Sequence, residues 1–127
     1  MTRKRRLFVL VWSFVLAGCM LVAYEGWRAH DIGWRRVRTQ DQFGVICSEF
    51  SRGLPSDLAK LTPQAAEGIA VHMYMNRMGR PPIDGWGHRI RITATVKDNV
   101  CELHLASPGR DGIWRTADDV TRTMTYH

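Results

Sequence analysis

The chain has 127 residues, which is room for one domain of ordinary size. Its hydrophobic content of 45% and charged content of 24% exclude an intrinsically disordered protein. The net charge of +6 suggests nucleic-acid binding, but residues 3–6, RKRR, supply four of the 18 basic side chains. The other 14 basic residues are nearly balanced by 12 acidic ones, which disfavours a basic nucleic-acid-binding face.

An uncharged stretch, residues 7–24, follows the basic cluster. As a helix rising about 1.5 Å per residue it would span about 27 Å, close to the hydrocarbon thickness of a bilayer. The basic residues ahead of it should stay in the cytoplasm, so the rest of the chain would lie outside. We therefore predict a membrane anchor or signal segment at residues 1–24 and an exported domain at residues 25–127.

A lipoprotein signal is a second interpretation of the same stretch. The sequence Leu16-Ala17-Gly18-Cys19 fits a bacterial lipobox, after which the chain would be cleaved and attached to lipid through Cys19. A lipoprotein usually continues as a polar tether, whereas here the apolar run extends to Tyr24. This continuation favours an uncleaved anchor, and lipid anchoring through Cys19 stays open as the alternative.

Two helices are predicted after the membrane segment. Residues 25–52 carry apolar side chains at mostly helical spacing and would continue the membrane helix until Gly53. Arginines at positions 28, 35, 36 and 38 read as a solvated face or as contacts with anionic headgroups. For the second helix, Thr62 suits the N-cap, Pro63 the first position and Gly79 the C-cap. Its predicted core-facing residues are Ile69, Met73 and Met78.

The last third of the chain is predicted to be β-sheet. Residues 88–96 alternate between apolar and polar, and residues 100–106 alternate again after a turn at 97–99. A third strand is predicted at residues 120–126. A bare hairpin is marginal in water, so the helices should cover its apolar face. The predicted class is α+β: a membrane helix continuing into a helix, packed with a second helix on a small antiparallel sheet.

The segment between the second and third strands is rich in acid. Residues 107–119 hold Asp111, Asp118 and Asp119 together with Gly109 and Gly112. Calcium takes six to eight hard oxygen ligands and would relieve the repulsion among close carboxylates. Zinc is disfavoured, because the segment has neither histidine nor cysteine. The alternative is a plain surface turn with solvated aspartates, since the spacing is not that of an EF-hand.

The same part of the chain carries a resemblance. The sequence DGWG at residues 84–87, SPGRDG at residues 107–112 and TADDV at residues 116–120 flank the predicted strands. This arrangement resembles the C-terminal part of the major pseudopilin of type II secretion systems. That family reads D-P-W-G before its sheet and S-x-G-x-D-G-x-x-G-T-x-D-D-[IV] after it.

The resemblance implies a function and a site. Members of the family bind calcium in this loop and polymerise into a short periplasmic fibre. Residue by residue, Asp111, Asp118 and Asp119 become candidate calcium ligands, with Ser107 and nearby carbonyls as weaker ones, and Trp86 becomes a packing residue. The implied location is the inner membrane, with one span and a periplasmic C-terminal domain. The implied partners are the membrane, other pseudopilins and secretion-machinery proteins.

The chain departs from the family at two points. Pseudopilins are processed at a glycine followed by phenylalanine, with a glutamate five residues into the mature chain, whereas here Phe8 follows Leu7 and Gly18 precedes Cys19. Entry into a fibre is therefore left open. Arg115 stands where the family usually has glycine, and a left-handed conformation there would cost about 1 kcal/mol or more.

These observations give one lead function and two alternatives. The lead is a membrane-anchored, calcium-stabilised, pseudopilin-like component with a structural or assembly role in type II secretion. The alternatives are a lipoprotein that uses the domain as a stand-alone interaction module, and a DNA-binding pilin-like protein, suggested by Arg89, Arg91 and the arginines after Trp27. Those arginines are more simply interpreted as a solvated sheet face and a membrane-proximal collar. An enzyme is disfavoured, because the sequence has neither G-x-S-x-G nor H-E-x-x-H.

Cys47 and Cys101 pose a separate question. Cys47 falls late in the first predicted helix and Cys101 on the apolar face of the hairpin. In an oxidising compartment they could form a bridge, provided that their Cα atoms lie within about 7 Å. The alternative is two separate buried thiols that act as small hydrophobic side chains.

Overall fold

The computed structural model describes residues 2–127. Its elements are α1 (Arg3–Gly53), a short 3-10 helix (Leu58–Lys60), α2 (Pro63–Met78), β1 (Arg91–Lys97), β2 (Val100–Ser107) and β3 (Val120–Tyr126). The predicted α+β class is confirmed as a long N-terminal helix, a second helix and a three-stranded antiparallel sheet. Contacts divide the chain into two compact units, one ending at Gly33 and one spanning Trp34–His127.

The first unit is helical, and its apolar side chains are exposed. The N-terminal part of α1 is long and apolar enough to cross a membrane, and none of this apolar window is buried. Phe14 is 77% exposed and Met20 is 75% exposed. Such exposure is unfavourable in water, because removing apolar area from water contributes about 25 cal/mol per Å². A signal sequence shares this length and composition.

In the second unit, α1 and α2 supply the helical layer. The glycines of α1 do not interrupt it, and the helix ends at Gly53. Its buried residues have the i, i+4, i+7, i+8, i+11 spacing of one helix face: Thr39, Phe43, Ile46, Cys47 and Phe50. The predicted caps of α2 are confirmed, because the Thr62 hydroxyl accepts from the Ala65 N–H at 3.1 Å and Gly79 is left-handed at φ 68°.

The predicted core face of α2 is partly wrong. The buried residues are Ala66, Ala70 and Tyr74, whereas Met78 is 36% exposed and Ile69 packs at the margin of the core. Tyr74 also donates a hydrogen bond from its hydroxyl to the Gln42 side chain on α1. Hydrophobicity alone favours isoleucine and methionine over alanine as core residues. Alanine is buried here because its small side chain lets the helix approach its neighbours closely, and buried tyrosine needs a hydrogen-bond partner for its hydroxyl.

The three strands lie in the order β1-β2-β3. The predicted alternation is confirmed, since Ala94, Cys101, Leu103 and Leu105 are all buried. Residues 98 and 99 have φ values of 53° and 62°, as a two-residue hairpin turn of type I′ requires.

The predicted first strand begins too early. It was expected from residue 88, but β1 starts at Arg91. The residues before it pair with another segment instead. The backbone of Arg89 forms an isolated antiparallel β-bridge with that of Ile83, and the Ile90 N–H donates to the Pro82 carbonyl at 3.1 Å. Alternation continues through these residues, but their hydrogen-bonding partner is not the sheet.

Cys47 and Cys101 are buried free thiols in the same core. Burial raises the pKa of both thiols above the ordinary value, so both stay protonated and unreactive at neutral pH. The Tyr126 hydroxyl donates to the Cys47 carbonyl oxygen at 2.9 Å. The structure thus has the two separate thiols rather than the bridge.

The turn before the sheet packs directly on α1 through Gly85. The Gly85 N–H donates to the Thr39 hydroxyl at 2.9 Å, and the Gly85 carbonyl accepts from the Arg35 guanidinium at 3.3 Å. A Cβ atom added to Gly85 would lie 2.2 Å from the Arg35 carbonyl oxygen. Backbone therefore touches backbone at this point, and only glycine leaves the space.

We expect Gly85→Ala to lower the melting temperature of the full chain in detergent micelles. Overpacking against backbone costs about 1–3 kcal/mol, and each kcal/mol corresponds to about 4–8 °C in a domain of this size. The control is Gly68→Ala on α2, where nothing lies within 4 Å of the added Cβ. That variant should be stabilised by about 0.5–1 kcal/mol. Equal melting temperatures for the two variants, measured by circular dichroism, would contradict this close packing.

Candidate functional site

The two segments that flank the hairpin meet at a buried carboxylate. Asp84 is only 6% exposed. Its Oδ1 atom accepts hydrogen bonds from the N–H groups of Trp86 and His88, both at 2.9 Å, and its Oδ2 atom accepts from the Ser107 hydroxyl. These three donors compensate the cost of burying a charge. Trp86 packs against the core, as expected of it.

Ser107 carries this connection into the acidic loop, residues 107–119. The side chain is fully buried at the end of β2. Besides donating to Asp84, its hydroxyl accepts from the Gly109 N–H at 3.1 Å. Protein groups therefore already use its proton and one of its lone pairs. The structure gives Ser107 a positioning role, and its part as a calcium ligand stays a prediction.

The two ends of the acidic loop touch at Gly109. This residue is left-handed, with φ at 74°, and a Cβ atom on it would lie 2.0 Å from the Asp118 carbonyl oxygen. The Gly109 carbonyl also accepts from the Gly112 N–H at 3.3 Å. A side chain at Gly109 would thus be excluded both by the backbone conformation and by the opposite end of the loop. The contact fixes where the Asp118 main chain lies.

The aspartates of the loop act differently from one another. Asp111 Oδ1 accepts from the Ile113 N–H at 2.9 Å, which makes a local turn. Asp119 holds the second half of the loop, since it accepts from the N–H groups of Arg115 at 2.8 Å and Thr116 at 3.4 Å. Asp118 is exposed, and its carboxylate accepts no hydrogen bond within residues 2–127. Two of the three acids are therefore explained as turn-forming groups.

No ready-made cluster of metal-binding side chains is present in the described part of the chain. Within residues 2–127, no three His, Cys, Asp or Glu side chains are grouped so as to hold a metal ion. The loop nevertheless offers the ligands that a hard cation prefers, because its available donors are carboxylate and carbonyl oxygens. A cation here would have to combine fewer than three of these carboxylates with main-chain carbonyls, or draw the carboxylates together.

Arg115 has the left-handed backbone conformation that is expected where the resembling family has glycine. Its φ is 65°, in the left-handed region that a side chain makes unfavourable by about 1–2 kcal/mol. The hydrogen bond from its N–H to Asp119 holds it there. This is the position at which the resemblance calls for glycine, and the fold keeps the glycine-like backbone without the glycine.

A cleft that the sequence did not reveal adjoins the loop. It has a volume of about 460 Å³ and is lined by residues 87–91 together with Pro108, Gly112 and Trp114. The guanidinium of Arg91 lies over the Trp114 ring, 4.0 Å from the ring centroid. Alternation alone assigned Arg91 to a solvated face, because its contact with a residue 23 positions away depends on the folded loop.

The outer face of the sheet holds a second polar arrangement. The His104 Nδ1 atom is 3.1 Å from the Thr123 hydroxyl, and its Nε2 atom is 3.6 Å from a Glu102 carboxylate oxygen. The order hydroxyl, imidazole, carboxylate resembles a nucleophile with its base. All three side chains are partly or largely exposed to solvent, where water competes for each of these contacts. We assign these contacts to cross-strand stabilisation.

We expect Arg115→Gly to raise the free energy of unfolding by about 1 kcal/mol, because glycine adopts the left-handed conformation without the side-chain penalty. Arg110→Gly is the matched control. It removes the same charge from an exposed site in the same loop that has no positive φ. That variant should be neutral or less stable. Urea denaturation in a calcium chelator measures both, and a loss of stability in Arg115→Gly would contradict the strain.

Comparisons with known proteins add no relative. No family model, no curated protein and no solved structure matches this chain. Function is therefore argued from the residues, their contacts and the short resemblance alone.

Proposed function

We propose that the chain is a membrane-anchored, pseudopilin-like protein with a structural or assembly role in type II secretion. The carrying observation is the hydrogen bond between Asp84 and Ser107, which joins two of the three segments that bear the resemblance. These segments are thereby parts of one folded unit, as they would be in a pseudopilin-like domain. The order of an apolar helix, a second helix and a small antiparallel sheet also supports the proposal.

The proposed location is the inner membrane, with one span and a periplasmic C-terminal domain. The exposed apolar part of α1 supports the span. The basic residues at its N-terminal end support the orientation, because such residues favour the cytoplasmic side. The proposed partners are the membrane and other proteins of the secretion machinery. Without the processing glycine and the glutamate, an assembly role outside the fibre fits the sequence better than subunit polymerisation.

We further propose that the acidic loop binds calcium. Asp118 would be the principal ligand, since its carboxylate is exposed and accepts no hydrogen bond within residues 2–127. Asp111 and Asp119 each keep lone pairs beyond those used for backbone N–H groups, and a carboxylate has about four. Main-chain carbonyls would complete the shell, and Ser107 would position the start of the loop. The ion would neutralise charge and hold the loop, with no chemical step.

The alternatives keep specific support. Lipid attachment through Cys19 is compatible with its exposure on α1 and would make the domain a stand-alone interaction module. DNA binding finds less support, because the arginines at positions 89 and 91 are few and the acidic loop lies next to their cleft. An enzymatic role stays disfavoured as a prediction.

Calcium should raise the melting temperature of the full chain, and Asp118→Ala should abolish the rise. Asp118 is the informative position because Asp111 and Asp119 also hold the loop without metal, so their loss would confound two effects. At about 100-fold excess over Kd, binding stabilises by about 2.7 kcal/mol.

Asp98→Asn serves as the control for this experiment. It removes one carboxylate at the hairpin turn, where asparagine tolerates the positive φ of 53°. Its calcium-dependent rise should equal that of the unchanged protein. If calorimetry detects no calcium binding at millimolar concentration, the site assignment is wrong. This conclusion holds whether the N-terminal segment is an uncleaved helix or a lipid anchor.

Two measurements test the topology: the activity of a reporter fused to the C-terminus, and the mass of the native protein. A reporter that is active only outside the cytoplasm, fused after His127, should be active. The mass of the purified native protein should include the N-terminal segment intact. A mature chain that begins at a lipid-modified Cys19 would instead establish the lipoprotein alternative, and an inactive reporter would contradict export.

A further inference from the structure

We propose that the cleft beside the acidic loop binds an acidic peptide segment, whose carboxylates are held by Arg89 and Arg91. The cleft has a volume of about 460 Å³, within the usual range of ligand-binding pockets. Its lining includes His88 and both arginines but no acidic residue. The inference goes beyond the proposed function, because it depends neither on calcium nor on a role in secretion.

Arg91 is organised for recognition before any ligand arrives. Its guanidinium stacks on the Trp114 ring at 4.0 Å from the centroid, which restricts the plane of the group while the N–H groups at its edge stay available. A planar fork held in one orientation matches a carboxylate through two parallel hydrogen bonds. Less side-chain entropy is then lost on binding than for an unsupported arginine.

The positive charge of the cleft is not compensated from within the described chain. In the part of the chain from residue 2 to 127, neither Arg89 nor Arg91 has a carboxylate within 4.0 Å. Two acids close in sequence to residues that line the cleft are committed elsewhere, because Asp84 is buried with three donors and Asp111 accepts from a backbone N–H. An anionic ligand would supply the missing partner.

Carboxylates fit this cleft better than a nucleic acid does. A nucleic acid gains affinity from many phosphate contacts, and a cleft with two arginines and a histidine offers few. One face of the Trp114 ring is already covered by Arg91, so that face cannot stack a base. A short acidic peptide segment needs only the few contacts that the two arginines offer, and it does not depend on stacking against Trp114.

Fluorescence anisotropy with the full chain in neutral detergent micelles tests the proposal. The probe is a labelled peptide containing two Asp-Glu pairs, compared with its Asn-Gln counterpart and with a single-stranded oligothymidylate. A calcium chelator is present, so that calcium cannot bridge the peptide to the acidic loop. The acidic peptide should bind at least about tenfold more tightly than the amide peptide, because hydrogen bonds between charged groups are the stronger ones.

Variants locate the binding. Arg91→Ala and Arg89→Ala should each weaken the acidic peptide about tenfold, and Arg91→Lys should weaken it too, because lysine is a point charge without the planar fork. The control is Lys97→Ala, which removes one charge at the far end of β1 outside the cleft and should change affinity less than about twofold. Circular dichroism establishes that each variant is folded.

Four results would overturn the proposal. They are no binding of the acidic peptide, equal binding of the two peptides, a loss in Lys97→Ala as large as in Arg91→Ala and Arg89→Ala, and tighter binding of the oligothymidylate than of the acidic peptide. The last result would instead favour the nucleic-acid alternative. None of these outcomes bears on the calcium measurement, which uses Asp118 and the melting temperature.

Discussion

The buried carboxylate of Asp84 is the constraint on which the C-terminal half of the structure depends. It accepts from two backbone N–H groups of its own turn and from the Ser107 hydroxyl. A charge removed from water is tolerated only while such donors stay in place, because an unmatched buried charge costs several kcal/mol. The path of the turn and the start of the acidic loop are therefore set together.

The same turn is also fixed to the helical layer. Gly85, the next residue, packs its backbone against Arg35 and donates to Thr39 on α1. Helix, turn and loop thus meet at Asp84 and Gly85. Asp84 supplies hydrogen-bond acceptors, and Gly85 lets the backbone approach α1 because it has no side chain. This explains in physical terms why an aspartate followed by glycine precedes the sheet, and why a serine ends β2.

The acidic loop follows the same principle on a smaller scale. Asp111 and Asp119 place carboxylates where several backbone N–H groups need acceptors, so most of the acidity of the loop is accounted for by turn formation. Only Asp118 is left over. A bound cation is therefore not needed to explain why the loop has three aspartates, and its proposed contribution is to hold a loop whose turns already exist.

The sheet and the caps were predictable from the sequence, whereas the junctions were not. Alternation reveals which face is buried whenever one side of a sheet is covered, and Thr62, Pro63 and Gly79 carry local capping chemistry that needs no tertiary information. The predicted start of β1 is wrong, because residues 88–90 alternate like a strand but pair with the turn.

The contacts that define the candidate sites join residues far apart in the chain. Ser107 meets Asp84 across 23 positions, and Trp114 meets Arg91 across the same separation. No local pattern encodes such a pair. The resemblance anticipated that the segments belong together and that Arg115 is under strain, but it did not supply the hydrogen bond that joins them.

One loop contributes to both proposed sites, and this has a thermodynamic consequence. Asp118 belongs to the calcium proposal, while Gly112 and Trp114 line the cleft proposed for acidic peptides. Arg115, between them, holds a conformation that its own side chain disfavours. A ligand that orders this segment at either site removes part of the entropic cost of binding at the other, so the two should favour each other. By linkage the coupling must be equal in both directions. Arg115 limits the size of this coupling, because glycine at that position would leave the free loop more conformations for the first ligand to remove.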